Sequence, residues 1–321
     1  MKNSFKHTSL ILLFIALILL PGCNSSKKQN TIRIIHAGSV ALVVKQAVEA
    51  YKKENPGVEI LTESWGSKDG ARQITELNKT CDVFISADEK VIETFLMPDY
   101  ANWSIPFAGN EMVLAHTSKS KFANQLNADN WFEYLSRPEV LTARSSADAD
   151  PCGVRAVLLM LLSDLYYNNA DISKVLMAKD HSFIRPKEVD LIALLEKNTV
   201  DYIYIYKSVA VQHQFPYVEL PDEINLKNPE LADYYSQVWF ETVGKTPDSK
   251  HKETGAPIVY GITIPTVAEN PEEALNFVLF FLDREKGGAI LERNGQNVLP
   301  PQRVKFYDQI PDKLKEYVLQ P

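Results

Sequence analysis

The stretch TIRIIHAGSVALVVKQAVEAYKKENPGVEILT, residues 31–62, decides the fold. Residues 31–37 are rich in β-branched side chains and predict a strand, and the apolar residues that recur every three or four positions over residues 40–51 predict a helix. An Asn-Pro-Gly turn ends this helix, and residues 58–62 predict a second strand. A strand, a helix and a strand in this order are typical of a parallel α/β sheet.

The same alternation continues along the chain. A Gly-Ser turn at residues 66–67 precedes a helix predicted over 69–78, and residues 82–86 predict a third strand. Further strands are predicted at 111–117, 202–206 and 257–265, and further helices at 130–135, 151–167, 186–197, 272–282 and 287–294. The sequence therefore predicts an α/β protein with two blocks of strands and helices, each built on a central and mostly parallel sheet.

We expect these blocks to form two lobes between which the chain crosses twice. Residues 31–112 and 256–321 are predicted to form lobe I, and residues 113–255 lobe II. Ligands of open α/β sheets bind at the carboxyl ends of the strands. The ligand is therefore expected in the cleft between the lobes.

Composition excludes several classes of protein. The chain has 321 residues, of which 45% are hydrophobic, so it can bury a substantial core. It carries 34 Lys and Arg against 41 Asp and Glu, and no basic block follows the first few dozen residues. A nucleic-acid partner is therefore not expected.

The N-terminal segment predicts export. Residues 1–22 combine two lysines with an apolar run at 9–20, too short for a confident membrane span, and end in Leu-Pro-Gly before Cys23. This arrangement resembles a bacterial lipoprotein signal, and an ordinary signal peptide is the alternative. We expect lipid on Cys23, a polar tether over residues 23–30 and an extracytoplasmic location at the membrane. Without residues 1–22 the net charge becomes −9.

Two serines are candidates for anion binding. Ser39 and Ser67 each follow a glycine between a predicted strand and a predicted helix. A helix N-terminus presents unpaired N–H groups and a positive dipole end to an anion. Because the two serines lie in consecutive units of one sheet, they are expected at the same edge. The alternative is that each serine only caps its helix.

Other polar residues have simple structural interpretations. Asp150 and Glu188 begin predicted helices, and Tyr206 ends an apolar strand. Cys81 and Cys152 could pair, although two buried free thiols are the favoured interpretation.

The sequence contains none of the motifs G-x-S-x-G, H-E-x-x-H, G-x-G-x-x-G or the P-loop, so an enzyme is not expected. A hydrolase that uses Ser39 would need His36 as its base, and the His36 ring is expected on the other face of the strand.

Several motifs resemble the substrate-binding lipoproteins of tungstate and molybdate ABC transporters, most closely the archaeal-type branch. The resemblance covers almost the whole mature chain. The motifs are HAGS at 36–39, GS at 66–67 with Arg72, SAD at 86–88, MPDYANW at 97–103, DPCG at 150–153, YKSVAVQH at 206–213, LPDEINL at 220–226 and IVYGITIP at 258–265.

The resemblance implies a type II periplasmic-binding-protein fold that encloses one oxyanion and needs no cofactor. It implies that Ser39, Ser67 and Tyr206 donate hydrogen bonds to the oxo groups. Backbone N–H groups are also implied as donors, and we expect these to be the N–H groups of Gly38 and Cys152. It also implies a monomer that delivers tungstate or molybdate to a membrane permease and its ATPase.

In the archaeal-type branch two carboxylates also approach the metal atom of the ligand, and by motif position these are Asp150 and Glu188. Asp190 is the competing candidate for the second acid. The sequence departs from the branch at Glu89, where a tyrosine is frequent, and at Lys68, a cation that could assist the dianion. The segment between the two acids is also shorter than in the archaeal proteins.

Two acids in an anion site have a chemical reason. Tungsten and molybdenum can accept oxygen ligands beyond the four oxo groups, and hard oxygen donors suit them. Sulfate and phosphate accept none, so a carboxylate would repel them. Another oxyanion, such as sulfate or phosphate, and a role as an anion sensor are the alternatives.

Overall fold

The computed structural model describes residues 31–179, 183–244, 246 and 248–321. The predicted signal segment, Cys23 and the tether lie outside the described residues. Among the residues that are described, no helix combines the length and the apolar character that a membrane span requires.

The strands and helices alternate over most of the chain. The strands are β1 (Thr31–Ala37), β2 (Glu59–Trp65), β3 (Val83–Ser86), β4 (Ile105–Gly109), β5 (Met112–His116), β6 (Thr142–Ser145), β7 (Ile184–Arg185), β8 (Tyr202–Tyr206), β9 (Tyr217–Val218), β10 (Trp239–Val243), β11 (Lys250–Thr254), β12 (Val259–Thr263), β13 (Asn297–Val298), β14 (Gln302–Arg303) and β15 (Val318–Leu319). The helices are α1 (Ala41–Glu54), α2 (Ser67–Thr75), α3 (Glu89–Val91), α4 (Trp131–Leu135), α5 (Pro151–Tyr166), α6 (Ile172–Lys179), α7 (Val189–Glu196), α8 (Lys207–Gln212), α9 (Asp222–Asn225), α10 (Ala232–Tyr235), α11 (Pro271–Leu282) and α12 (Ala289–Arg293).

A six-stranded sheet contains the segment that decides the fold. Its strand order is β13-β4-β12-β3-β1-β2. β1 is parallel to β2 and β3, whereas β12 is antiparallel to β3 and β4 and β13 is antiparallel to β4. Strands β1 to β4 therefore all run in one direction. The apolar face of α1 packs on this sheet through Val43, Val44 and Ala47, and its Tyr51 ring meets the Phe277 ring of α11 edge-on at 5.4 Å.

A five-stranded sheet forms the second layer of strands, in the order β7-β6-β8-β5-β9. β6 is parallel to β7 and β8, and β5 is antiparallel to β8 and β9. Every residue of β8, YIYIY, is buried, as expected for a central strand covered on both faces. Helix α5 supplies much of that cover, and twelve of its sixteen residues are buried.

The chain passes between the two sheets twice. It leaves the larger sheet after β4, crosses at Asn110 and Glu111 and enters the smaller sheet at β5. It returns after the β10–β11 hairpin, through residues 255–258 into β12. This path fits the two predicted crossings, and the boundaries of the lobes stay a prediction.

The observed elements confirm the predicted alternation and differ from it in two places that matter for the site. Strand β6, with the sequence TARS, is missed by the sequence analysis because four residues give little periodicity. Helix α7 begins at Val189 rather than at Pro186. The backbone N–H of Glu188, immediately before this helix, donates to the Asp150 carboxylate at 2.9 Å.

Candidate functional site

Two Gly-Ser turns lie side by side at one edge of the larger sheet. Ala37, the last residue of β1, is paired in register with Trp65, the last residue of β2. The Gly38-Ser39 and Gly66-Ser67 turns therefore start at the same level, at the carboxyl ends of neighbouring parallel strands. Sequence reasoning predicted this convergence.

Both serine hydroxyls accept a hydrogen bond from the protein. Ser39 Oγ accepts from the Tyr260 hydroxyl at 3.0 Å, and Ser67 Oγ accepts from the backbone N–H of Ala87 at 3.0 Å. Neither serine caps its own helix with its side chain. The interpretation of these serines as plain N-caps is therefore wrong.

Two acids that follow strands of the smaller sheet approach the turns. Asp150 caps α5: its Oδ1 accepts from the Cys152 N–H at 3.4 Å, and its Oδ2 accepts from the Glu188 N–H at 2.9 Å. Asp150 and Glu188, like the two serines, are each only 1% exposed. Asp190, the competing candidate, is partly exposed in the first turn of α7.

Two glycines allow this close approach. A Cβ atom at Gly38 would lie 2.8 Å from Glu188 Oε1, and one at Gly66 would lie 2.5 Å from the Ala149 carbonyl oxygen and 3.2 Å from Asp150 Cβ. Any larger residue at either turn would push the acids away. The structure thus brings the predicted serines and acids together in one enclosed site.

The site contains buried polar atoms that nothing among the described residues satisfies. Both carboxylate oxygens of Glu188, the Tyr206 hydroxyl and the Ser145 hydroxyl have no hydrogen-bond partner there. Buried polar atoms without partners are rare in folded proteins and point to a bound group that completes them. Here the arrangement combines hydroxyl donors with carboxylates.

Burial dominates the electrostatics of the two acids. It raises the pKa of Asp150, and burial together with the neighbouring Asp150 charge raises the pKa of Glu188 well above its ordinary value. Burial also raises the pKa of Tyr206, so its hydroxyl stays protonated and remains a donor. Two like charges enclosed in this way are costly unless a proton or an electron-poor centre lies between them.

The remaining candidates are placed as follows. The Cys152 N–H is directed at Asp150, and its buried thiol donates to the Tyr204 carbonyl at 3.8 Å. Cys152 and Cys81 are both free and buried, which confirms the favoured interpretation. Gly38 contributes the close approach to Glu188 described above. No group of three or more His, Cys, Asp or Glu suited to a metal ion occurs within residues 31–179 and 183–321, as far as these are described.

Lys68 does not serve as a cation for the site. Its ammonium donates to the Ala147 carbonyl at 2.9 Å, to Thr242 Oγ1 at 3.0 Å and to the Glu253 carboxylate. All three N–H bonds are used, so the expectation that Lys68 could assist a dianion is wrong.

His36 and Arg155 also have structural partners. The His36 ring makes its hydrogen bond to the Ala37 carbonyl at 2.8 Å and none to Ser39, which removes the base that a Ser39 hydrolase would need. Arg155 pairs with Asp88 in a buried ion pair.

Sequence reasoning missed three residues of the site. Tyr260 contacts Ser39, Asn110 donates to Tyr260 at 2.9 Å, and Ser145 ends β6 beside the Asp150 loop. Tyr260 lies in a motif quoted above, IVYGITIP, but alternation along a buried strand marks it only as core. A hydroxyl at the end of a strand shortly before Asp150-Pro151 was the available signal for Ser145.

Comparison with known proteins identifies the family of the chain. Residues 32–297 match the family model described as bacterial extracellular solute-binding protein. An uncharacterized solute-binding protein of Petrotoga mobilis is 39% identical over 99% of this chain and 98% of its own length. The molybdate/tungstate-binding protein WtpA of Pyrococcus abyssi is 37% identical over 99% of both chains, and its namesake in Thermococcus kodakarensis is 36% identical over 92% of this chain and 89% of its own.

Solved structures show the same fold. The periplasmic molybdate-binding protein of Azotobacter vinelandii superposes with a TM-score of 0.61 at 16% identity, over 84% of this chain and 99% of its own. The sulfate-binding protein SubI of Mycobacterium tuberculosis gives 0.57 at 14% identity, over 85% and 88%. The fold is that of the type II periplasmic binding proteins, as predicted. By its sequence and its fold, the chain belongs to the bacterial extracellular solute-binding protein family.

Proposed function

We propose that this protein captures tungstate or molybdate outside the cytoplasm and delivers it to an ABC transporter. The observation that carries the proposal is the pair of buried acids held against the Gly-Ser turns, with both oxygens of Glu188 unpaired among the described residues. Full-length relatives named for molybdate and tungstate binding support it.

Each site residue has a role in this proposal. Ser39, Ser67 and Tyr206 donate hydrogen bonds to oxo groups of the anion, and the backbone N–H of Gly38 assists. The backbone N–H of Cys152 donates to Asp150 Oδ1 instead and so orients that acid. Asp150 and Glu188 supply carboxylate oxygens to the metal atom of the anion, which expands its coordination beyond four. The ligand is then cargo, and the protein needs no cofactor and performs no catalysis.

The acids also give the site its selectivity. Fold alone does not choose the anion, because the sulfate-binding protein SubI shares it. A sulfate or phosphate in this site would face two carboxylates that it cannot ligate, and the repulsion would be strong in a buried place. Tungstate and molybdate turn the same carboxylates into ligands.

The two sheets belong, in this proposal, to two lobes that close on the anion. Lobe I consists of residues 31–112 and 256–321, and lobe II of residues 113–255. Since the site residues are almost fully buried, the anion enters only when the lobes separate. The closed form is the signal that the permease and its ATPase recognise.

The N-terminal segment completes the proposal. Residues 1–22 act as a lipoprotein signal, Cys23 carries the lipid, and residues 23–30 tether a monomer to the outer face of the membrane. Intact mass measurement of the protein purified from membranes tests this. A mass that begins at a diacylated Cys23 is expected, and a mass that begins elsewhere without lipid would refute the anchor.

A panel of oxyanions tests the function. Thermal unfolding of the purified protein is measured with tungstate, molybdate, sulfate and phosphate at equal concentrations. Tungstate and molybdate are expected to raise the midpoint, because they bind only the folded state, and the other two are expected to leave it unchanged. A rise with sulfate or phosphate alone would overturn the proposal.

A further inference from the structure

A chain of buried hydrogen bonds leads from the crossing between the sheets to Ser39. Asn110, in the connection between β4 and β5, donates from Nδ2 to the Tyr260 hydroxyl at 2.9 Å and to Ser208 Oγ at 2.7 Å. Tyr260 then donates to Ser39 Oγ at 3.0 Å. All four side chains are buried.

Asn110 fixes which group donates and which accepts along this series of hydrogen bonds. Asn110 Oδ1 accepts from the backbone N–H groups of Glu111 at 2.9 Å and Ser208 at 3.4 Å. The amide oxygen must face these two donors, so the amide nitrogen must face Tyr260. Both hydrogens of that nitrogen are used, one on Tyr260 and one on Ser208.

The direction then passes to Ser39. The Tyr260 oxygen accepts from Asn110, and its single hydrogen is given to Ser39 Oγ. The oxygen of Ser39 is thereby an acceptor, so its own hydrogen is free to point into the site. The carbonyl of Ser39 accepts from Gln296 Nε2 at 3.1 Å, which fixes the turn.

The second serine is set in the same way by different means. The Ala87 backbone N–H donates to Ser67 Oγ, and this also leaves the serine hydrogen for a ligand. A backbone donor has only one possible direction, whereas a tyrosine hydroxyl can rotate. The Tyr260 hydroxyl therefore depends on the hydrogen bond from Asn110 to direct its hydrogen at Ser39, whereas the Ala87 N–H is oriented by the backbone itself.

We propose that Tyr260 and Asn110 are positioning residues which orient the Ser39 hydroxyl as a donor to the bound oxyanion. The inference rests on the proposed function and assigns residues outside the set that touches the anion. Because Asn110 lies where the chain crosses between the sheets and also holds Ser208 at the start of α8, the orientation of Ser39 depends on the geometry of the crossing.

The test is a calorimetric titration of full-length Tyr260→Phe with tungstate, alone and combined with Ser39→Ala. Tyr260→Phe is expected to weaken tungstate binding about tenfold, the usual effect of one lost hydrogen bond. In the Ser39→Ala background the same change is expected to alter the Kd less than about twofold, because its target is gone. An equal effect in both backgrounds would mean a merely structural role and overturn the proposal.

Two further variants keep the test decisive. Asn110→Asp retains the acceptors for the two backbone N–H groups but draws the Tyr260 hydrogen away from Ser39, so it is expected to weaken binding like Tyr260→Phe. Tyr202→Phe is the matched control, because Tyr202 is a buried tyrosine whose hydroxyl donates to the Lys121 carbonyl at 2.6 Å, away from the site. It is expected to leave the Kd unchanged.

The outcomes separate this inference from the function on which it rests. If the wild-type protein binds no tungstate, the proposed function fails. If the wild type binds tungstate and both Tyr260→Phe and Asn110→Asp bind it equally well, only the positioning role fails.

Discussion

The burial of the Glu188 carboxylate is not explained by any contact with the rest of the described protein. Glu188 is 1% exposed and lies beside Asp150, and its carboxylate has no hydrogen-bond partner among the described residues. Its local sequence indicates only a helix-start acid, and the family resemblance alone names it as a ligand, since its contact with Gly38 depends on how the two sheets meet. In the proposed function, a metal atom that accepts oxygen ligands gives this carboxylate a role that the fold alone does not.

Replacement of Glu188 tests this directly. Glu188→Gln is expected to weaken tungstate binding by about 1–3 kcal/mol, the usual loss for a charged contact. Isothermal calorimetry measures the change, and Asp190→Asn is the control because Asp190 is partly exposed in the first turn of the same helix. An unchanged Kd for Glu188→Gln would return Glu188 to a structural role.

Glu89 predicts a pH dependence of stability. Burial raises its pKa to about 7, although Ser104 donates to its carboxylate at 2.6 Å. The folded state therefore holds this proton between pH ~4.5 and 7 while the unfolded state releases it, so the free energy of unfolding falls as pH rises through that range. The total effect is about 3 kcal/mol at most.

Glu89→Gln removes this proton from the balance. Urea unfolding from pH 4.5 to 7.5 is expected to show a smaller loss of stability in the variant than in the wild type. The exposed Glu285 supplies the control variant Glu285→Gln, for which the wild-type slope is expected. The same slope in Glu89→Gln and the wild type would contradict the assignment.

At the scale of elements, the β10–β11 hairpin holds the start of α2 through hydrogen bonds and an ion pair. Lys68 of α2 donates to Thr242 and Glu253 of the hairpin, and Arg72 donates to the Gly244 carbonyl at 3.2 Å. The hairpin also receives support from Asp148, which accepts from the Val243 N–H at 2.9 Å. The contacts of Lys68 and Arg72 join elements that the sequence assigns to different lobes, so in the proposed function they stabilise the closed arrangement.

Breaking this ion pair is expected to speed release of the anion. Glu253→Gln leaves the buried Lys68 charge without its partner in the closed form, whereas an open form would hydrate it, so the cost falls on closure. Stopped-flow fluorescence is expected to show a rise in the tungstate dissociation rate of at least tenfold with a nearly unchanged association rate.

Lys252→Gln on the same hairpin is the control for this experiment. Its ammonium lies over the exposed Trp239 ring, 4.4 Å from the centroid, and takes no part in the contacts of the hairpin with Lys68 and Arg72 described above. Equal dissociation rates in Glu253→Gln and the wild type would show that the ion pair does not stabilise closure.

The sequence predicted the elements of this fold better than their meeting points. The strand at 31–37 and the strand at 202–206 were predicted to the residue, because β-branched and aromatic alternation is a local signal. Lys68 looked like a candidate for the anion, and its true partners Thr242 and Glu253 lie more than 170 residues away. No local pattern contains such a pairing, and the same holds for the link from Asn110 to Tyr260.

At the scale of the whole molecule, the proposed function requires the two sheets to separate before an anion can reach the site. The serines and acids come from opposite sides of the cleft and are almost completely buried where they meet. Without the anion, two enclosed carboxylates oppose closure, and with a metal centre between them they favour it. Ligand binding and closure are thus one equilibrium in this account.

Small-angle X-ray scattering measures that equilibrium. Tungstate is expected to reduce the radius of gyration of the wild-type protein, and sulfate at the same concentration is expected to leave it unchanged. In Glu188→Gln the reduction with tungstate should be smaller at subsaturating concentrations. An identical scattering curve with and without tungstate would contradict closure as the response to the ligand.

The central claim is that two buried carboxylates allow this site to bind tungstate or molybdate and prevent it from binding sulfate. Calorimetric titration of the purified protein with tungstate and with sulfate, in one phosphate-free buffer, tests it most directly. The account predicts one tungstate bound per chain and no binding heat with sulfate. Tight sulfate binding, or the absence of any tungstate binding, would contradict it.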